Sequence, residues 1–170
     1  MMLPPQVVFA STLAAAPGGR AAPFHTLRLM RDMIKRARVD PQVIQTAHSI
    51  VFLTPERAAL HEIGAVFEWV RDCVRYTADV AGLETLAYPG LTLARRSGDC
   101  DDQTALLCSL LEAIGYPTRL VMAEYDSGDW EHVYCQVLAN GQWIDCDPIE
   151  REAGLGFSPP GASRLFIEEV

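Results

Sequence analysis

The sequence predicts an α+β fold, with a helical N-terminal half and a small antiparallel sheet packed on a helix that starts at Cys100. Three observations predict it. Apolar residues recur at helical spacing through the first half of the chain. "GDCDDQTALLCSLLEAIG", residues 98–115, opens with capping residues and continues as an apolar helix that Gly115 can stop. "HVYCQVLANGQWIDCDP", residues 132–148, holds two strand-like runs joined by Asn140-Gly141, the pair favoured in a type I′ hairpin turn.

Each element follows from local chemistry. Residues 1–23 contain four of the eleven prolines and Gly18-Gly19, and are expected to form an extended arm. "FHTLRLMRDMIKRAR" places Leu27, Met30, Ile34 and Ala37 on one face and arginines on the other, an amphipathic helix. Asp40-Pro41 and Thr54-Pro55 each put a capping residue before a proline, predicting helices over 41–52 and 55–76. Leu60, Ile63, Phe67, Val70 and Val74 form the expected buried stripe of the second. Residues 77–97 read mostly as loop. After the Cys100 helix, "TRLVMAEY" reads as a strand, the Asn140-Gly141 hairpin follows, and "RLFIEEV" closes the chain as a further short strand. No internal repeat or second core is visible. The expected organisation is one domain over 1–170: arm 1–23, helical part 24–78, core 79–150 and C-terminal tail 151–170.

Composition narrows the function classes. The 170 residues are 49% hydrophobic, enough for a substantial core. A net charge of −8 disfavours general nucleic-acid binding and no stretch approaches the length of a transmembrane helix, so no nucleic acid and no membrane are expected as partners. Lys35 is the only lysine. Arg20, Arg28, Arg31, Lys35, Arg36 and Arg38 concentrate positive charge near the start, most simply as a solvated helix face. Five cysteines without paired spacing suit reduced thiols in a bacterial cytoplasm rather than a disulfide scaffold. The N-terminus has a short apolar run and Ala14-Ala15-Ala16, but it lacks a basic start and Pro4-Pro5 interrupts it, so a cleaved signal peptide is not expected.

Chemistry concentrates at Cys100. A helix start offers unpaired N–H groups and the positive end of the helix dipole, and both favour a thiolate. Asp99, Asp101 and Asp102 oppose it: at about 6 Å and an effective dielectric of 20–40, each carboxylate costs the thiolate roughly 1.5–3 kcal/mol. The expected resolution turns Asp99 and Asp102 to helix amides as a cap, lets Arg95 and Arg96 offset charge, and leaves activation to an imidazole. That would make Cys100 the most reactive of the five thiols. His25, His48 and His61 lack an acidic partner at a telling spacing, and "HEIGA" at 61–65 ends in alanine where a zinc-protease motif needs histidine.

His132 differs, because the hairpin register can be worked out. With Asn140-Gly141 as the turn, Leu138 faces Trp143, Gln136 faces Asp145 and Tyr134 faces Asp147. His132, Tyr134, Asp145 and Asp147 then share one sheet face. Asp147 lies one diagonal from His132, within reach of its ring, and Asp145 lies too far. Cys135 points to the opposite face.

"GDCDD" before a Leu/Ala-rich helix, then "AIGYPTRLV", "EHVYCQV" and "WIDCDP", resembles the transglutaminase-like superfamily, chiefly over residues 88–149. The resemblance implies a papain-like α+β core, with Cys100 as nucleophile, His132 as general base and acid, and Asp147 as the orienting carboxylate. It implies thiol-dependent acyl chemistry on an amide carbonyl of a protein or peptide substrate, without a cofactor. A cysteine protease or amidase is expected ahead of a transglutaminase. The doubled acids and short length resemble small members encoded among phage and prophage structural genes, which would allow virion association and phage structural proteins as partners. No glutamine precedes Cys100 at the papain-like spacing, so its own backbone N–H is the one identifiable oxyanion donor. Other readings stay open: Cys100 and His132 as ordinary packed residues, Cys100 and His132 with an aspartate as a zinc site lacking any paired ligand spacing, or a binding module that keeps the fold without turnover.

Overall fold

The computed structural model describes residues 22–55, 58–79, 85–125 and 128–170. The arm expected at 1–23 lies almost wholly outside the described residues. Helix α1 (Ala22–Ala37) buries Leu27, Met30, Ile34 and Ala37, the stripe its periodicity predicts. Helix α2 (Pro41–Val51) begins where Asp40 accepts a hydrogen bond from the Gln42 N–H at 2.9 Å, as the Asp-Pro pair predicts.

Helix α3 departs from expectation. It spans Ala59–Cys73, and its N-cap, Ala58, makes no side-chain cap. Thr54 instead donates its hydroxyl to the Val51 carbonyl at 2.7 Å, closing the end of α2 rather than opening α3. With the later start, Leu60 is exposed, and Val66 joins Ile63, Phe67 and Val70 in the core. The stretch expected as loop also holds structure: β1 (Arg75–Tyr76) pairs in parallel with β2 (Ser97–Gly98), and α4 (Pro89–Arg95) lies between them. Two-residue strands have too little sequence to show a period, so only their long-range pairing reveals them.

Helix α5 (Cys100–Ala113) is the axis of the molecule. Every residue from Asp102 to Leu111 is buried, which suits a helix with neighbours all round. Helices α1–α4 touch it, and the sheet strands β3 (Thr118–Glu124) and β4 (Trp130–Ala139) lie across it. Burying Leu106, Leu107, Leu110 and Leu111 contributes on the order of 1.5–3 kcal/mol each. Gly115, at φ +92°, ends the helix run in the left-handed region.

The antiparallel sheet has the order β5-β4-β3-β6, with β5 at Gln142–Cys146 and β6 at Arg164–Glu169. Asn140 and Gly141 have φ of 51° and 78°, as a type I′ turn requires. The β4–β5 register is the expected one, with Leu138 opposite Trp143 and Gln136 opposite Asp145. The ladder ends at Cys135 opposite Cys146, one pair before Asp147. One sheet face, carrying Leu120, Val133, Cys135, Val137 and Cys146, joins the α5 core. The opposite face carries His132, Tyr134 and Gln136, with Val121 and Ala123 beside them on β3. No described helix is long and apolar enough to cross a membrane.

Candidate active site

Two separate devices deliver Cys100 and His132. The β1–β2 pair fixes the approach to Cys100: the Arg75 N–H donates to the Arg96 carbonyl at 2.9 Å, and the Thr77 N–H to the Gly98 carbonyl at 3.0 Å. Buried Gln103 donates its side-chain amide to the same Gly98 carbonyl at 3.0 Å. Gly98 is required by close approach, because an added β-carbon would lie 2.5 Å from the Asp102 Cβ. Cys100 then occupies the first helical position of α5, where backbone N–H groups lack intrahelical acceptors.

The second device is a bulge in β4. Ala123 pairs with His132 and Glu124 with Trp130, leaving Glu131 as the extra residue. Adjacent partners on β3 point to opposite faces, so the bulge puts Trp130 and His132 on opposite faces despite their spacing of two. Trp130 meets Phe24 of α1 edge-on, with ring centres 5.6 Å apart. His132 stacks on Tyr134 at 6.1 Å. The Thr104 hydroxyl donates to the Val133 carbonyl at 3.2 Å and ties α5 to the strand next to His132.

His132 and Asp147 meet directly. The ring Nε2 lies 2.7 Å from Asp147 Oδ2. The other carboxylate oxygen accepts the Ile149 N–H at 3.0 Å, which fixes the carboxylate's orientation. Asp147 is 3% exposed, so little water competes for it. Asp145 is engaged elsewhere, accepting from the Gln136 amide at 2.6 Å. With Nε2 held by Asp147, Nδ1 is the ring nitrogen left for other work. Cys100 and His132 line one cleft of about 160 Å³. Its walls include Leu27 and Met30 of α1, Met122 of β3 and Trp130. Sequence reasoning did not place α1 at this site, because nothing local ties residue 27 to residue 100.

The acids around the thiol divide their work differently from expectation. Asp99 does cap the helix, accepting the Asp102 N–H at 3.2 Å. Asp102 instead turns back to the loop and accepts the Ala87 N–H at 2.7 Å. Arg96 lies over the Trp69 ring at 4.3 Å, so it does not serve as a counter-charge for the thiol; Arg95 acts on Asp102. The Cys100 thiol donates to Asp101 Oδ1 at 3.4 Å. Burial first, then Asp101 and Asp99, push that thiol well above the usual thiol range. Burial, with Asp102 and Asp101 adding, lifts the Asp99 carboxyl to about 7. These charges run against Cys100 as the most reactive thiol at rest. Cys73 is the exposed cysteine, while Cys108, Cys135 and Cys146 are buried. His25, His48 and His61 all face solvent.

Residues 46–148 match the family model of the transglutaminase-like superfamily. Among curated proteins, none matches the sequence. Solved structures share the fold at low identity. A candidate cysteine protease from Cytophaga hutchinsonii is 16% identical with a TM-score of 0.56, matched over 82% of this chain and 54% of its own. A candidate protease from Parabacteroides distasonis is 12% identical with a TM-score of 0.59, matched over 81% of this chain and 31% of its own. Rad4–Rad23 bound to a 6-4 photoproduct UV lesion is 13% identical with a TM-score of 0.51, over 79% and 40%. This chain thus spans about half of the first and a third of the second. The match over 46–148 exceeds half of the sequence, and the α+β architecture agrees with it: the chain belongs to the transglutaminase-like superfamily.

Proposed function

We propose that this chain is a thiol-dependent acyl-transfer enzyme, a cysteine protease or amidase ahead of a transglutaminase, with Cys100, His132 and Asp147 as its catalytic residues. The observation that carries the reading is the 2.7 Å contact between His132 Nε2 and buried Asp147, on the wall of the cleft that also holds the Cys100 thiol. Asp147 would hold the imidazole with Nδ1 turned to the thiol and stabilise the imidazolium once formed.

The reaction follows from those roles. The Cys100 proton passes to His132, and the sulfur forms a C–S bond to the amide carbonyl carbon. The oxyanion meets the Cys100 backbone N–H at the helix start. The imidazolium returns its proton to the leaving nitrogen as the C–N bond breaks, leaving a thioester. Water, deprotonated by His132, then forms the C–O bond, the C–S bond breaks, and the thiolate recovers a proton. An amine in place of water would give transamidation. Burial first, and then Asp101 and Asp99, disfavour the resting thiolate, so in this reading proton transfer belongs to the substrate complex.

A second reading is favoured by the same acids: a binding module, virion-associated in one form, in which the Asp101-bonded thiol never ionises. Incubation with a mixed peptide substrate, scored for new amino termini and for incorporated amine, separates the readings. The enzyme reading expects new termini with wild type and none with Cys100→Ala. Equal, background-level signals in both proteins favour the binding module.

A further inference from the structure

His132 lies where β4 is held least by its own sheet. On one side the β3 pairing shifts between Ala123 and Glu124, at the Glu131 bulge. On the other side the β5 ladder stops at Cys135 opposite Cys146. A two-residue turn makes its flanking pair, Ala139 and Gln142, a hydrogen-bonded one, and bonded pairs then alternate along the ladder. Val137 with Ile144 and Cys135 with Cys146 are the next bonded pairs. The residues between them fit the alternation: the Leu138 N–H donates to the Pro117 carbonyl at 2.9 Å, and the Asp145 carbonyl accepts the Gly156 N–H at 2.8 Å, each away from the β4–β5 seam. One step further, Val133 turns its carbonyl to the β5 side, where the register places Pro148, a residue with no N–H to give.

That acceptor is met from α5, by the Thr104 hydroxyl at 3.2 Å. Thr104 follows Cys100 by four residues, so the two side chains share one helix face, with about 5–6 Å between β-carbons. The residue before it, Gln103, donates its amide at 3.0 Å to the carbonyl of Gly98, two residues ahead of the thiol. Both side chains are buried in the core, where a hydroxyl or an amide is costly unless it is bonded. Valine would fill the Thr104 space equally well and lacks only the hydroxyl.

We propose that Thr104 and Gln103 are positioning residues, a two-residue clamp on α5 that fixes the placement of His132 relative to Cys100. Gln103 grips the segment that leads into the thiol, and Thr104 grips the strand beside the imidazole. Both grips start from the same turn of one buried helix, so thiol and imidazole share a single frame. The inference rests on the acyl-transfer reading for what that placement serves. Acyl transfer tolerates little error in it: a misplacement of about 1 Å can cost roughly 10²-fold in rate.

The test follows acylation of Cys100 by an activated peptide ester, read by intact-protein mass spectrometry over a range of ester concentrations. Circular dichroism checks that each variant is folded. Thr104→Val is expected to lower the maximal rate roughly 10–100-fold while the half-saturating concentration moves less than about 3-fold. Thr104→Ser, which restores the hydroxyl, should recover the rate to within about 3-fold of wild type. In a His132→Ala background Thr104→Val should make no further difference, because the hydroxyl acts through the imidazole. A second readout needs no turnover. The Tyr134 amide shares a peptide group with the Val133 carbonyl, so its nitrogen resonance should move in Thr104→Val and return in Thr104→Ser. Gln103→Met, which removes only the other grip, should lower the maximal rate about 3-fold or more and move the Asp99 amide resonance; it carries the test if Thr104→Val does not fold. A wild-type rate in either folded variant, a loss that serine does not recover, an equal loss in the His132→Ala background, or unmoved amide resonances would each overturn the proposal while leaving the acyl-transfer reading in place. Wild type that is never acylated at Cys100 would defeat that reading, and the clamp's role with it.

Discussion

Asp145 lies in β5 and Asp147 one residue beyond its end, and the structure gives them different partners. Asp147 holds His132 and the Ile149 N–H, whereas Asp145 holds Gln136. Asp147→Asn is expected to leave the fold intact and to lower turnover roughly 10²–10⁴-fold, through lost tautomer control and imidazolium stabilisation. Asp145→Asn should lower it less than about 3-fold. Turnover of a peptide substrate, beside a circular dichroism spectrum of each variant, checks both. Asp99 carries a pH prediction. Its folded carboxyl titrates at about 7 against 3.8 for the ordinary group, so the folded state holds the proton more tightly than the unfolded chain. Its contribution to stability is therefore complete below about pH 4 and is lost as pH rises through about 7. Asn at 99 keeps a capping oxygen and does not titrate. The melting temperature of Asp99→Asn should gain on wild type by roughly 2–4 °C between pH 5 and pH 8. Parallel curves would show that Asp99 is ionised throughout.

At the scale of elements, the β4–β5 hairpin and the Gly98 approach position the site. The hairpin was legible from sequence because its information is local: Asn140-Gly141 sets the turn, the turn sets the register, and the register puts the Asp147 position beside His132. The bulge at Glu131 lies beyond His132 and leaves that register undisturbed. The start of α3 was not legible, because Thr54-Pro55 carries the same signal as Asp40-Pro41 but its hydroxyl closes the previous helix. The β1–β2 pair and the closeness of Gly98 to Asp102 were hidden for a different reason, since both depend on contacts that only the folded chain makes. Gly98→Ala tests the second device. Its new methyl meets the Asp102 Cβ within 2.5 Å, and relief would have to move the backbone that delivers Cys100. A loss of about 1–3 kcal/mol in urea unfolding is expected, with turnover falling further than the stability change alone explains. Unchanged stability would mean that the segment yields freely.

At the scale of the molecule, α5 joins the core to the candidate site: its buried middle organises the core and its first turn carries Cys100. Leu107→Ala, fully buried, should cost about 2–5 kcal/mol by the cavity it leaves, and the thiol should lose its placement with the fold. The central claim is that Cys100, served by His132 and Asp147, forms a covalent acyl intermediate. The most direct measurement is intact-protein mass spectrometry after brief exposure to an activated peptide ester, followed by peptide mapping. The account expects one acyl mass increment on Cys100, removed by hydroxylamine as a thioester is, absent in Cys100→Ala and strongly reduced in His132→Ala. An increment on Cys73 instead, or one that survives in Cys100→Ala, or none at all with wild type, would contradict it.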